Sequence, residues 1–386
     1  MPVLGEMWFP THVVFGAGTL RELPAQLRAV GARAPLVVTD PGVVKAGLYA
    51  KLQAALAEAG LPHALFAEVH PNPVEEDCLA GLEAFRRGEA DSVVALGGGS
   101  AMDAGKIVRL LVAHEPPLAQ YDDLQGGSAR IAEPMPPMIA IPTTAGTGSE
   151  VGRSAVVTLT EGHRKAVIFA PALIPTVALC DPELTLGLPP GPTAATGMDA
   201  FVHCLEAYCA TGFHPLADAV ALDGLGRAAR ALPRAFANGA DAQARSEMMV
   251  AAIMGATAFQ KGLGACHSLA HALTPVCGVH HGLANAVMIR HVVEFNRPAI
   301  EDRLARVALA MGEFPGGGTA DLAKAAVTRV EQLCRAIAIP VSLKEVGLRE
   351  DQIPEVVERA MADGCHQLNP RRVTAEDFER LVRAAF

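Results

Sequence analysis

Ser92-Val93-Val94-Ala95-Leu96-Gly97-Gly98-Gly99-Ser100, followed by Ala101-Met102-Asp103-Ala104-Gly105-Lys106-Ile107-Val108-Arg109-Leu110, is the stretch that decides the fold. Ser92 to Leu96 is a short apolar run bounded by turn residues, the pattern of a buried strand. The run stops at three glycines and a serine, and a helical pattern follows. Glycines let a backbone approach a pyrophosphate closely. The helix behind them offers free N–H groups and the positive end of its dipole. The spacing is not the GxGxxG dinucleotide fingerprint, so on its own it also reads as a tight strand-to-helix turn.

Upstream, strand patterns at 11–16, 34–40 and 63–69 alternate with helical patterns at 20–30, 51–59 and 77–87. Downstream, 138–142 is a further strand, and two or three more are expected between Val156 and Leu179. Such alternation implies a parallel sheet with helices on both faces. Leu188-Pro189-Pro190-Gly191-Pro192 then breaks the pattern. Helices are predicted over 193–209, 215–232, 242–259, 266–273, 300–311, 319–336, 353–360 and 375–386. The expected organisation is an α/β domain over 1–187 and an all-helical domain over 188–386. No internal repeat or low-complexity segment stands out.

Hydrophobic residues make up 51% of the 386-residue chain and charged residues 19%, which suits a well-buried globular enzyme. A net charge of −9 without a Lys/Arg run argues against a nucleic-acid partner. Met1-Pro2-Val3-Leu4-Gly5-Glu6 lacks the basic-then-apolar layout of a signal peptide. No apolar run approaches the roughly 18 residues of a membrane span. The eight cysteines form no CxxC and read as reduced thiols of a cytoplasmic protein. Cys204 and Cys266 adjoin His203 and His267, but one helical step turns a side chain by about 100°, away from a shared ligand.

Two loops reinforce the nucleotide reading. Pro142-Thr143-Thr144-Ala145-Gly146-Thr147-Gly148-Ser149-Glu150 supplies hydroxyls and glycines directly after a strand. Asp40 ends the second strand, where a carboxylate accepts from a ribose 2′-OH and repels a 2′-phosphate, favouring NAD over NADP. Alone, Asp40 before Pro41-Gly42 is equally an ordinary turn residue.

A second chemistry lies in the helical half. Asp199 and His203 are four apart, as are His267 and His271, so each pair shares a helix face. With His280 and His281, six groups compete for a first-row transition metal, and spacing alone does not choose among them. A divalent cation there would polarise an alcohol or carbonyl oxygen.

With these motifs in hand, the chain resembles the iron-containing (group III) alcohol dehydrogenases over essentially its full length. The matching stretches are 97–100 with Asp103 and Lys106, 142–150, Asp181-Pro182-Glu183-Leu184, Thr196-Gly197-Met198-Asp199-Ala200, Gly264-Ala265-Cys266-His267 with His271, and His281-Gly282-Leu283-Ala284-Asn285-Ala286. The resemblance implies a Rossmann-like dinucleotide-binding domain and a helical metal-binding catalytic domain, with the active site in the cleft between them. It also implies that Asp199, His203, His267 and His281 hold the metal, Fe(II) first and Zn(II) or another first-row ion as alternatives. His271 is then the non-ligand histidine near nicotinamide and substrate, able to pass protons. Asp40 matches the position associated with NAD preference. Gly98, Gly99, Ser100, Asp103, Thr143, Thr144 and Thr147 fall on cofactor-contacting loops, and Lys165 matches a lysine near the cofactor.

The activity implied is hydride transfer between a metal-bound alcohol and NAD, on a short-chain alcohol, diol or hydroxy acid, in a homodimer or larger homo-oligomer paired through N-terminal strands. Alternatives are a metal-free maleylacetate-reductase-like enzyme and a metal-dependent lyase resembling dehydroquinate synthase. The intact Asp-His-His-His set speaks against the first, and the motifs around Asp199 and His281 against the second. Lys261, where many relatives carry small or amide side chains, and His214 suggest a contact to a substrate carboxylate. The bland reading has Lys261 in solvent and His214 capping a helix.

Overall fold

A computed structural model describes residue 7 and residues 11–314 and 316–386. Met1 to Glu6, on which the signal-peptide reading rests, lie outside the described residues. Contacts divide the chain into two units, one spanning residues 11–144 and 148–187, the other 145–147 and 188–386.

The strands of the first unit are β1 (His12–Phe15), β2 (Pro35–Val38), β3 (Ala64–Phe66), β4 (Ser92–Gly97), β5 (Met138–Pro142), β6 (Ser154–Thr158), β7 (Lys165–Phe169) and β8 (Val177–Cys180). Six of them form a wholly parallel sheet in the order β1-β8-β5-β4-β2-β3. The helices between them are α1 (Leu23–Ala29), α2 (Pro41–Lys45), α3 (Leu48–Glu58), α4 (Glu75–Arg87) and α5 (Gly99–Ala113). The four central strands are buried at every position, which is why they read as apolar runs rather than alternating patterns. Val93 and Ala95 point into one core with Cys78, Leu82, Met102 and Ile107; Val94 and Leu96 point into the other with Leu23, Leu27, Leu52 and Leu56. That period-2 split places helices on both faces.

The segment between β5 and β8 differs from a simple continuation of the parallel pattern. β6 and β7 form a separate antiparallel pair, Ser154 opposite Phe169 and Thr158 opposite Lys165. The link between them is only six residues, too short for the dozen or more of a parallel crossover.

The second unit contains α6 (Pro190–Cys209), α7 (Pro215–Ala237), α8 (Ala242–Ala258), α9 (Ala265–Cys277), α10 (His281–Asn296), α11 (Glu301–Ala310), α12 (Thr319–Ala336), α13 (Ile353–Ala362) and α14 (Ala375–Ala385). α6 is buried almost all round, packed by α7, α8 and α10. α7 and α9 each run past the proline expected to end them, Pro233 and Pro275. The sequence pattern does not predict α10. Gly282 in its first turn reads as a breaker, and Ala284 to Ile289 are buried without the one-sided stripe that betrays a surface helix. Among the described residues no helix is long and apolar enough to cross a membrane.

Candidate active site

The chain order across the sheet reverses between β2 and β4. β2 leads outward to β3, whereas β4 leads the other way to β5 and β8. Ligands of open α/β sheets bind at the carboxyl ends of such a pair. Here those ends carry Asp40 and Gly97. Gly97 has φ +155, and a Cβ on it would lie 2.6 Å from Ala101 Cβ and 3.4 Å from Asp40 Oδ2. Only a glycine makes this turn and leaves Asp40 beside it. Asp40 also caps α2, its Oδ1 accepting from the Val43 N–H at 3.0 Å. α5 opens with Gly99 and Ser100 and has no side-chain cap on its first N–H groups. Thr143 is buried and donates its N–H to the Gly97 carbonyl at 2.9 Å, and Thr144 lies against Gly98. Thr147 falls in the second unit.

Two expected cofactor residues are engaged within the protein. Asp103 accepts from Ser149 Oγ (2.7 Å) and from the Val156 N–H (3.0 Å), bracing α5 against β6. Lys165 donates to Asn72 Oδ1 at 3.0 Å, and the Asn72 N–H reaches Ser100 Oγ at 3.4 Å. Beneath the loop, Lys106 is wholly buried and donates to Ser149 Oγ (2.7 Å) and the Ser154 carbonyl (2.8 Å). Burial lowers its pKa to about 8, and burial raises that of Glu150 to about 7.

In the helical unit, Asp199, His203 and His267 converge, with ligand atoms all within 4.8 Å of one another. α6 supplies the first two from one face and α9 the third. His281, first residue of α10, stands beside them with Nε2 3.4 Å from Asp199 Oδ1. It reaches there because of Gly282, on which a Cβ would overlap the Ala195 carbonyl oxygen and crowd Asp199 Cβ at 3.1 Å. His280 precedes α10 as its N-cap.

Asp199, His203 and His267 are no more than 5% exposed, and His203 Nδ1 is buried without a hydrogen-bond partner among the described residues. A carboxylate and lone-pair nitrogens packed this deep call for a cation. Desolvation lowers the pKa of His203 to about 4 and pushes His281 well below the imidazole range, leaving both neutral near pH 7, as metal ligation requires. The donor set fits a divalent first-row metal.

Three residues that the sequence reading does not single out surround this group. Asn285, one turn into α10, donates its amide to Asp199 Oδ1 (2.9 Å) and lies 3.4 Å from His267 Nε2 and 3.2 Å from His281 Nε2. Glu206 meets His267 Nδ1 at 2.6 Å. Asp363 meets His271 Nδ1 at 2.8 Å and accepts from Ser268 Oγ (2.7 Å) and the Cys365 N–H (2.8 Å). Burial would raise the Asp363 pKa, but the bonds from His271, Ser268 and Cys365 override it and hold the carboxyl well below its usual range. Glu206 was legible in principle, since it follows Asp199 and His203 at seven and three residues on the same helix face. Asp363, distant in sequence, offered no such signal.

His271 is outside the tight group of three. Its ring stacks on His281 with centroids 5.1 Å apart. An ionised carboxylate only accepts, so Asp363 places the proton on Nδ1 and leaves Nε2 as the acceptor. Lys261 is buried, its ammonium paired with Asp218 and donating to the Tyr208 carbonyl at 2.8 Å. His214 caps α7, Nδ1 accepting from the Ala217 N–H at 3.0 Å.

Comparison with known proteins shows the family and the fold. The family described as iron-containing alcohol dehydrogenase matches residues 10–182, and its C-terminal part matches 193–386. The chain is 42% identical to 4-hydroxybutyrate dehydrogenase of Cupriavidus necator, over 97% of this chain and 98% of that protein. It is 36% identical to the NAD-dependent methanol dehydrogenase of Bacillus methanolicus, over 98% and 99%. A crystal structure of 1,3-propanediol oxidoreductase superposes with a TM-score of 0.96 at 37% identity, covering 99% of this chain and all of that one. Matched from end to end by sequence and by fold, the chain belongs to the iron-containing alcohol dehydrogenase family.

Proposed function

We propose that the protein is an NAD(H)- and metal-dependent alcohol dehydrogenase and aldehyde reductase, acting on a short-chain alcohol, diol or hydroxy acid. Asp199, His203, His267 and His281 would hold the metal, Fe(II) first among the candidates and Zn(II) next. When bound, the metal supplies Lewis acidity that lowers the pKa of an alcohol, and the nicotinamide accepts the hydride. With one carboxylate and neutral imidazoles as its only ligands, the site would keep a net positive charge around a divalent ion. His271 takes up the alcohol proton at Nε2, with Asp363 fixing the tautomer. Asp40 selects NAD by accepting from the ribose and repelling a 2′-phosphate. The hydroxy-acid option draws support from the likeness to the C. necator dehydrogenase rather than from Lys261, whose ammonium is committed to Asp218.

The observation that carries this reading is the convergence of Asp199, His203 and His267 at the heart of the helical unit. The eight cysteines are all free thiols, in keeping with a cytoplasmic setting, and a homodimer or larger homo-oligomer is part of the proposal. The test is elemental analysis of the purified protein, with NADH absorbance followed over alcohols, diols and hydroxy acids. Asp199→Ala is expected to lose metal and turnover together, by on the order of 10³-fold in kcat/KM. Full turnover after chelation, or NADH from none of these substrates, would overturn it.

A further inference from the structure

We propose that Glu206 is a positioning residue that locks His267 in the one tautomer able to ligate a cation, and that Gly264 is glycine to leave it room. This rests on the reading of Asp199, His203, His267 and His281 as the metal holder.

α6 carries Asp199, His203 and Glu206 at steps of four and three, on one face. α9 begins at Ala265, and its N-cap, Gly264, has no side chain to satisfy the first free N–H groups. Glu206 does so from the neighbouring helix. Its Oε1 accepts from the Cys266 N–H at 2.7 Å, and its Oε2 from the His267 N–H at 3.2 Å. Asn369 Oδ1 takes the Ala265 N–H at 3.2 Å. The positive end of a helix favours a carboxylate. A carboxylate only accepts, so the 2.6 Å contact of Oε2 with His267 Nδ1 places the ring proton on Nδ1. That leaves Nε2, 4.0 Å from Asp199 Oδ1, as the ring nitrogen available to a cation. One buried side chain thus starts the helix and aims its first histidine.

Gly264 has φ −148, which any residue adopts. Its requirement is space: a Cβ would lie 2.7 Å from Glu206 Oε1 and 2.8 Å from Asn369 Oδ1. Gly264→Ala therefore displaces the carboxylate without changing its charge.

In Glu206→Gln, three donors face one carbonyl oxygen. If that oxygen turns to the Cys266 N–H, the amide NH₂ faces His267 and drives its proton to Nε2, where ligation is blocked. The test uses the full chain, dialysed against chelator and titrated with Co²⁺ alone, read by affinity and by the visible Co²⁺ spectrum. Both Glu206→Gln and Gly264→Ala are expected to weaken binding by about 10- to 100-fold and to shift the spectrum. Asp199→Ala should abolish binding. If the Glu206 and Gly264 variants bind Co²⁺ with unchanged affinity and spectrum while Asp199→Ala does not, the positioning role is wrong and the metal site stands. A lowered melting temperature with an unchanged spectrum also overturns it, leaving only a helix cap. If Asp199→Ala binds normally, the metal reading fails and takes this inference with it. Should Glu206→Gln not fold, Gly264→Ala decides the same question by the same two readouts.

Discussion

The carboxyl edge of the sheet and the histidine cluster of the helical unit are built by opposite means. At the sheet edge, the proposed nucleotide site is made of backbone: Gly97 to Ser100 turning from strand to helix, and Thr143 tied to Gly97 by a main-chain bond. Few side chains have to be aimed. In the cluster, α6, α9 and α10 each deliver side chains, and their convergence depends on how closely the helices pack and on a second layer of Glu206, Asn285 and Asp363. A site made of backbone is disturbed where a Cβ intrudes on its own turn. A site made of side chains is disturbed wherever the supporting helices move apart.

The strongest way to break that contrast is Gly282→Ala. The added methyl would overlap the Ala195 carbonyl, so the first turn of α10 must lift from α6 and carry His281 away from Asp199. Overpacking of this kind costs about 1–3 kcal/mol of stability. Metal content is expected to fall steeply, and turnover by on the order of 10²-fold. Elemental analysis and thermal unfolding check both; a variant with full metal and unchanged melting would show that helix approach does not set the site.

Several buried side chains lie beside the sheet edge, Lys106 and Glu150 among them, and Glu150 gives a pH signature. Glu150 is 1% exposed, and desolvation raises its pKa from an ordinary 4.5 to about 7. A carboxyl with a raised folded-state pKa binds its proton more tightly when folded, so its contribution is intact below the unfolded pKa and is lost as pH rises toward 7. Glu150→Gln, which never ionises, should match the parent in chemical denaturation near pH 4. It should exceed the parent by about 3 kcal/mol at pH 8. Equal stability at both pH values would mean that Glu150 is held ionised at no cost.

How much of this was legible in the sequence follows the same division. β4, the glycine turn and α5 can be read directly, because a buried strand and its turn are local patterns of a few residues. The histidines are visible as residue types, but their convergence depends on contacts between positions as far apart as Asp199 and Asn285. α10 stays hidden because burial on nearly all sides erases helical periodicity. β6 and β7 read as strands but not as a separate antiparallel ribbon, since pairing partners are not encoded in one strand's own pattern.

Asp40→Ala sharpens the comparison from the nucleotide side. The carboxylate accepts one cap bond through Oδ1 and turns Oδ2 toward the Gly97 turn. Losing a charged hydrogen bond to a ribose is worth about 1.5–3 kcal/mol, so the NADH-over-NADPH preference should shrink about 10- to 100-fold. Metal content should stay at the parent level. Steady-state kinetics with both cofactors measure the first; a preference left intact would reduce Asp40 to a helix cap.

The smallest effect concerns residues singled out by proximity in sequence alone. His214 follows α6 by a few residues, yet its Nδ1 is committed to the Ala217 N–H at the start of α7. Removing a helix cap costs about 1 kcal/mol, and that is the expected loss for His214→Ala in chemical denaturation. The ratio of kcat/KM for an ω-hydroxy acid over its matched alcohol should not change, because the cap bond and not a substrate bond was removed. A change in that ratio, with stability preserved, would return His214 to the substrate. It would also mean that nearness along the chain, which failed to reveal Asp363, had succeeded where the cap geometry misled.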